Sequence, residues 1–534
     1  MLRKKYQNIN DYWMQTGVKK TFLSVRPWQW ILFCLFLLIC YGAKLFYYNF
    51  GIDNESFAFR YGPAMKEFIQ SGRFSIYLVK KVLHIFPFVP IFSLFLWILA
   101  FACYSFLGGV YTISLSKEKR SGLYFLIFAA VLVSHPCFAE QFYFTHQSFE
   151  ITLGMISALF AATLARYWMS RPKEIWFLIL AVLAAAFSFG FYQAIVPLYL
   201  CFILCGAFGI LTDPVNKEDR TRIFSLILKL FLLAVAPLIV YFLVDKLGHL
   251  VIHAENSYVG SMFWWDLSAP GETIRLIGEN IRQVVKAELP FYTLYYPVIS
   301  CIFVLLSIIG AVRGKNVSSW MKLLFAVLIV ISPFFLLIVT GHPVIIRTQF
   351  VLPFVCAFAT VMSLDIAAGL FRERGRKVFS VIFIMIAAVI FFQQSQTLNR
   401  FWYTAEVTYQ NDLLFANSLI GKIEEETGDS MVSTEKKILF VGKYSPHLTD
   451  NTVRGDVIGK SFFEYDNTLE NIGSTYRIVG FYENIGYELW SASPEQAALG
   501  QEIAENMPVY PEDGFIQVHD DLIIVKLSEP SDSQ

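Results

Sequence analysis

Charge is what this sequence has least of. Only 16% of its 534 residues are Asp, Glu, Lys or Arg, 56% are hydrophobic, and the two signs cancel to a formal +1. An ordinary soluble protein needs more charge than this to cover its surface, so that class is excluded. A nucleic-acid partner has no support either, because tracking phosphates takes a concentrated basic face. Cysteine is sparse and confined. All eight (Cys34, Cys40, Cys103, Cys137, Cys201, Cys205, Cys301, Cys356) lie in or beside apolar runs, and the polar C-terminal stretch has none. Neither a disulfide framework nor a thiolate metal site is expected; these are small buried hydrophobes. The C-terminal part also lacks a nucleotide-binding fingerprint, a zinc-ligand spacing and a nucleophile elbow.

What the chain does have is long apolar runs. A helical span takes about 20 mostly apolar residues. Eleven segments read as spans: roughly 27–48, 86–115, 121–136, 148–169, 175–191, 193–212, 223–246, 294–312, 321–340, 347–370 and 378–394. The cations of Arg3 to Lys20, Lys117 to Arg120, Arg171 and Lys173, Lys217 to Arg222, Arg313 and Lys315, and Arg372 to Lys377 fall on alternate loops. All can be cytoplasmic at once, which places the N-terminus inside and the tail outside. The polar, basic start shows no small-x-small cleavage site and reads as a cytoplasmic arm leading into a signal-anchor. The expected fold class is a polytopic α-helical membrane protein of about eleven transmembrane helices with a small α/β extracytoplasmic C-terminal domain. Its expected divisions are an arm over 1–26, a membrane domain over 27–394 with outside loops 49–85, 135–147 and 247–293, and the domain 395–534.

Two outside loops carry helical periodicity. Phe57, Tyr61, Met65, Phe68 and Ile69 recur at helix spacing, as do Ile274, Ile277, Ile281, Val284, Val285 and Leu289, and each stretch is expected to lie flat on the bilayer, apolar face down. In the tail, Thr404 to Glu426 reads as an amphipathic helix, and Ile438 to Val441 and Tyr476 to Phe481 as strands. Ser493 to Gln496 is a capping box opening a helix, and Phe515 to Val518 with Leu522 to Leu527 form a hairpin.

Candidate chemistry concentrates outside. Asp53 and Glu55 follow the first span directly, two carboxylates one residue apart where one can raise the other's pKa and a soluble acceptor can reach them. The plainer reading is acids favoured at a helix start by its dipole. Arg60 and Arg73 add cations to that loop; Lys80 and Lys81 either do the same or, the better reading, snorkel at the start of the second span. Glu140 sits among Phe138, Phe142, Tyr143 and Phe144, a costly place for an unpaired acid, so it reads as a partner for Arg60 or as a second catalytic carboxylate. Gln193 binds a sugar hydroxyl or caps a helix end. Arg347, at the outer entry of the tenth span, calls for an anion such as a lipid-linked phosphate, or for an ion pair or headgroups. Glu255, Trp264, Trp265 and Asp266 mix acids with indoles, which suits sugar rings but fits an interfacial belt better.

The acid-bearing first loop, Ser71-Gly72-Arg73-Phe74, the loop Pro136 to Phe144, Tyr192-Gln193 and Arg347 together resemble the GtrII-like glucosyltransferase family, which includes serotype-converting O-antigen enzymes of the GT-C class. The resemblance implies a polyprenyl-phosphate-linked sugar donor, undecaprenyl-phosphate glucose foremost. It also implies a cell-surface glycan acceptor and a multi-pass protein of the bacterial inner membrane. No cofactor is implied, and a divalent metal is left open. Asp53 takes the base position with Glu55 beside it; Asn54 between them leaves open which acts. Arg347, Arg60 and Arg73 are assigned to the donor phosphate, and Glu140, Gln141, Gln193 and His342 to the acceptor or sugar. A lipid-linked glycan flippase or transporter is the first alternative. Against it stands the scarcity of midplane charge. A polysaccharide polymerase or ligase is the second, and differs in using a diphosphate-linked oligosaccharide as donor.

Overall fold

The computed structural model describes residues 22–47, 49, 51–59, 61–116, 121–211, 220–253, 263–265, 268–341, 343, 345–370, 373–431, 435–465 and 473–529. Among them, eight helices are long and apolar enough to cross a membrane: Pro27–Phe46, Pro90–Leu115, Thr145–Ser170, Ile223–Ile252, Tyr295–Gly314, Val317–Thr340, Val351–Leu370 and Lys377–Thr427. Three shorter apolar helices, Gly122–Val133, Ile175–Phe189 and Ile195–Ile210, fall in three more of the apolar runs. The chain is a polytopic membrane protein. Large apolar side chains such as Ile31, Leu35, Phe95, Leu183, Phe231, Leu305 and Phe392 stay exposed on the helices, as expected of a surface that meets lipid instead of water. Val351–Leu370 is almost wholly buried and packs against Tyr295–Gly314 and Ser121–Val133. In the Val317–Thr340 stretch a 3-10 turn, Ser332–Phe334, interrupts the α-helix where Pro333 removes a backbone donor.

The loop after the first span is helical as its periodicity predicts, in Asn54–Phe59, Tyr61–Gln70 and Phe74–Leu83. Its apolar face does not point to lipid. Phe57, Met65 and Phe68 are buried in the protein core, and the Phe57 ring stacks on His146 at 4.3 Å. Lys80 does not snorkel either: it is buried and pairs with Glu150 at 2.7 Å. Periodicity reports that a face is apolar, not what covers it. In the second loop, helix Pro270–Lys286 keeps Ile274 exposed while Val284 is buried.

Every strand among the described residues lies in the tail. β1 (Lys437–Val441), β2 (Trp490–Ser491), β3 (Ile516–His519) and β4 (Leu522–Lys526) form one sheet in the order β2-β1-β4-β3. β1 runs parallel to both β2 and β4, and β3–β4 is an antiparallel hairpin turning at Asp520, whose φ is +53°. Helix Pro494–Ala504 opens on the Ser493 capping box. The stretch Tyr476 to Phe481 is not a strand but part of helix Gly473–Asn484. Thr475, Ile478, Val479 and Tyr482 are all buried at spacings of three and four, a helical stripe that local β-branched and aromatic content conceals. The expected amphipathic helix over 404–426 is likewise not a separate element: one helix, Glu373–Thr427, runs unbroken for 55 residues from the last apolar segment into the tail.

Candidate functional site

The segment from Phe138 to Gln147 is where several of the loops and helix starts meet. It runs through a six-residue helix, Phe138–Tyr143, into the start of Thr145–Ser170, and is buried throughout. Apolar packing seals it: the Phe138 and Phe142 rings stack at 5.2 Å, and Trp97 lies 4.6 Å from Phe142. Its polar groups then become fixed partners for neighbouring elements. Asn54 donates to the Tyr143 carbonyl at 3.4 Å, and its Oδ1 accepts the His146 N–H at 3.0 Å. Gly51 lies against the Tyr143 ring, where a Cβ has no room. Arg73 donates to Gln147 Oε1 at 3.2 Å and lies 4.7 Å over the Tyr192 ring. Arg347, from the 3-10 turn Ile346–Thr348, lies 4.9 Å over the Phe144 ring. Lys80 donates to the His146 carbonyl at 2.9 Å as well as pairing with Glu150. Arg73 and Arg347, far apart in sequence, thus meet one short loop, and Asp53 comes beside it through its neighbour Asn54.

Asp53 stands at the head of helix Asn54–Phe59 with φ +72°, a left-handed conformation that Asp tolerates better than most residues. Its side chain is 43% exposed, whereas that of Glu55 is 1% exposed. The two carboxylates share a cation from the tail: Arg477 Nη1 lies 3.0 Å from Asp53 Oδ1 and 3.2 Å from Glu55 Oε1. Burial, and after it the negative charge of Asp53, push the Glu55 carboxyl up to about 8, while Arg477 pulls it back down. Glu55 Oε2 is buried without a partner among the described residues. One acid is open to water and its neighbour is held dry, the arrangement in which two like groups take different protonation roles. Glu67 sits within electrostatic reach of Asp53; burial and that neighbour raise its carboxyl too.

Glu140 is fully buried and is capped by the tail: its Oε1 accepts the backbone N–H of Val457 at 3.2 Å and of Ile458 at 3.3 Å. Burial, then the charge of Asp456, push its carboxyl up to about 7, against the pull of the two N–H groups and of Arg347. Asp456 itself accepts the Ile346 N–H at 3.2 Å, beside Arg347. Both side-chain polar atoms of Gln141, together with Glu140 Oε2 and His135 Nε2, are buried without a partner among the described residues. Such a concentration of unmet hydrogen-bonding groups is unusual in a folded interior. Gln193 donates to the Ser71 carbonyl at 2.7 Å and to Tyr241 Oη at 2.9 Å, tying the first loop to helix Arg220–Ile252.

Asp53, Glu55, Arg73, Glu140, Gln141, Gln193 and Arg347 therefore lie on the loops and helix starts around this one segment. Arg60, His342, Glu255 and Asp266 lie outside the described residues, as do the arm before residue 22 and the run Lys117 to Arg120. Among the described residues no three His, Cys, Asp or Glu side chains are grouped to hold a metal ion. Sequence reasoning missed Arg477, Asp456 and the Lys80–Glu150 pair. Arg477 had one local signal, a lone cation inside the apolar run Tyr476 to Phe481. Its partners, more than 400 positions away, had none.

A family model described as Glucosyl transferase GtrII matches residues 42–364, more than half of the chain. No curated protein and no solved structure matches. The matched stretch contains Asp53, Glu55, Arg73, Glu140, Gln193 and Arg347 and ends before the tail residues that touch Asp53, Glu55 and Glu140.

Proposed function

Because the chain belongs to the GtrII glucosyl transferase family, we propose that it moves a sugar, glucose foremost, from a polyprenyl-phosphate donor to a cell-surface glycan such as an O-antigen on the outer face of a bacterial inner membrane. The observation that carries this reading is the pairing of open Asp53 with sealed Glu55 within one loop of Arg73 and Arg347. An acceptor hydroxyl attacks the anomeric carbon, Asp53 takes the hydroxyl proton, and the bond to the lipid phosphate breaks with inversion. The negative charge that develops on the departing phosphate faces the guanidinium groups of Arg347 and Arg73. Glu55 holds its proton at neutral pH and lends Asp53 a neutral, dry neighbour instead of a second negative charge. Glu140, Gln141 and Gln193 offer the hydrogen-bonding groups that sugar hydroxyls require.

The topology that serves this chemistry has eleven spans, with the three shorter apolar helices crossing alongside the eight long ones, the N-terminus in the cytoplasm and the sheet of the tail outside. The donor's isoprenoid chain then stays in the bilayer while its phosphate rises to the loops.

The test is direct. Membranes holding the protein are given radiolabelled polyprenyl-phosphate glucose and a candidate glycan, and label is followed into polymer. Transfer from the monophosphate-linked sugar supports the reading. Transfer only from a diphosphate-linked oligosaccharide, or movement of the lipid across the membrane without transfer, overturns it.

A further inference from the structure

Helix Gly473–Asn484 lies outside the matched region, yet it is seated on the acid loop. Three of its residues share the facing side, at spacings of three and four. Arg477 contacts Asp53 and Glu55, Asn484 donates to the Glu55 carbonyl at 3.4 Å, and Gly480 leaves room for the Glu55 side chain. A Cβ on Gly480 would meet Glu55 Cγ at 3.0 Å, so a larger residue there pushes the helix off the acids. Arg477 bonds both carboxylates through the same nitrogen, so neither acid can shift without losing its half of the contact. The Tyr465 ring, 5.4 Å from the guanidinium, closes its other side.

We propose that Arg477 is a positioning residue of the transferase site, holding the Asp53 and Glu55 carboxyl groups in one arrangement from the tail, and that the tail is consequently part of the active site and not an appendage to it. This rests on the reading that Asp53 acts as base. Arg477 works through that acid: it fixes where the carboxylate points and keeps a positive charge beside it while the proton arrives. An arginine suits the task because its planar head stays charged and presents several donors at fixed angles, which a lysine does not.

The test compares wild type, Arg477→Gln, Arg477→Lys and Gly480→Ala in full-length protein purified in detergent, with folding checked by size exclusion and thermal unfolding. Transfer is measured from polyprenyl-phosphate glucose across a pH series. For Arg477→Gln the expected result is a fall in kcat of about 10- to 100-fold with little change in donor KM, and a move of the acidic limb of the kcat profile to higher pH. Arg477→Lys restores the position of that limb and part of the rate. Should Arg477→Gln not fold, Gly480→Ala carries the comparison, with the same direction of change expected. A folded variant with wild-type kcat and an unmoved pH profile overturns the inference, as does a loss confined to KM. Wild type that transfers nothing counts against the proposed function instead. In that event the infrared carboxyl band of Glu55, identified by its loss in Glu55→Gln, still decides: it titrates at higher pH in Arg477→Gln if Arg477 holds the pair, and at the same pH if it does not.

Discussion

The Oε1 atom of Glu140 accepts the backbone N–H of Ile458 at 3.3 Å, joining the buried loop between two apolar helices to the tail across 318 positions of sequence. Val457 and Ile458 belong to the same buried apolar cluster as the membrane helices, and Ile52 borders both that cluster and the core of the tail. The two parts of the chain interpenetrate at the site. Gly455 makes the approach possible, since a Cβ there would collide with Glu140 Oε1 and the Phe291 ring.

Gly455→Ala is therefore expected to break the cap on Glu140 and leave a buried carboxyl without its donors. A loss of about 1–3 kcal/mol is expected, read as a lower Tm of the purified protein. An unchanged Tm means that the loop yields and the cap contributes little.

Asp53→Asn is expected to lower transfer by about 10²- to 10⁴-fold, the usual worth of a general base, with folding and membrane insertion intact. Label transfer per folded molecule measures it. Retained activity removes Asp53 from the mechanism and moves the search to Glu55.

Removing the Arg347 guanidinium is expected to act on the transition state more than on binding. Arg347→Gln should lower kcat by about 10²- to 10³-fold if its charge meets the leaving phosphate, with KM for the donor changing less. A raised KM at constant kcat would make Arg347 a binding group only.

Stability should fall as pH rises. The Glu55 carboxyl goes from 4.5 up to about 8 and Glu140 from 4.5 up to about 7, so the folded chain binds those protons more tightly than the unfolded one. The stability they contribute is fully present below 4.5 and is lost as pH climbs through 7 and 8. Asp412, raised from 3.8 to about 7 by burial, adds the same sign. Thermal unfolding between about pH 5 and pH 8 measures this, and Glu55→Gln should flatten the upper part of the curve. A wild-type Tm that climbs over this range contradicts the assignment.

Lys80→Met leaves Glu150 buried and unpaired beside the site. Breaking a buried pair by removing one partner costs about 3–5 kcal/mol. The double variant Lys80→Met with Glu150→Leu should recover most of that loss, which a thermal series on the three proteins checks.

The sequence made the membrane character legible because hydropathy depends on composition over about 20 residues and on nothing distant. Asp53, Glu55 and Arg347 stood out as candidates for a related reason: a charge at the edge of an apolar run is conspicuous wherever it lies. What stayed hidden was pairing. Nothing near Glu140 announces the N–H groups of Val457 and Ile458, and nothing near Lys80 separates a snorkelling lysine from one buried against Glu150. The apolar faces of Phe57 and Phe68 were visible, but protein rather than lipid covers them. In Tyr476 to Phe481, residue types that favour strands hid a helical stripe that shows only over a longer window.

The 55-residue helix Glu373–Thr427 is the covalent link between the last apolar segment and the sheet. At about 1.5 Å and 100° per residue, such a rod is ruler and compass together: its length sets the height of the sheet and its winding sets the bearing. One residue inserted midway would swing everything downstream by about 100°, and seven would restore the bearing while lifting the sheet by about 10 Å. The meeting of Arg477 with Asp53 is thus written into the phase of a helix to which neither residue belongs.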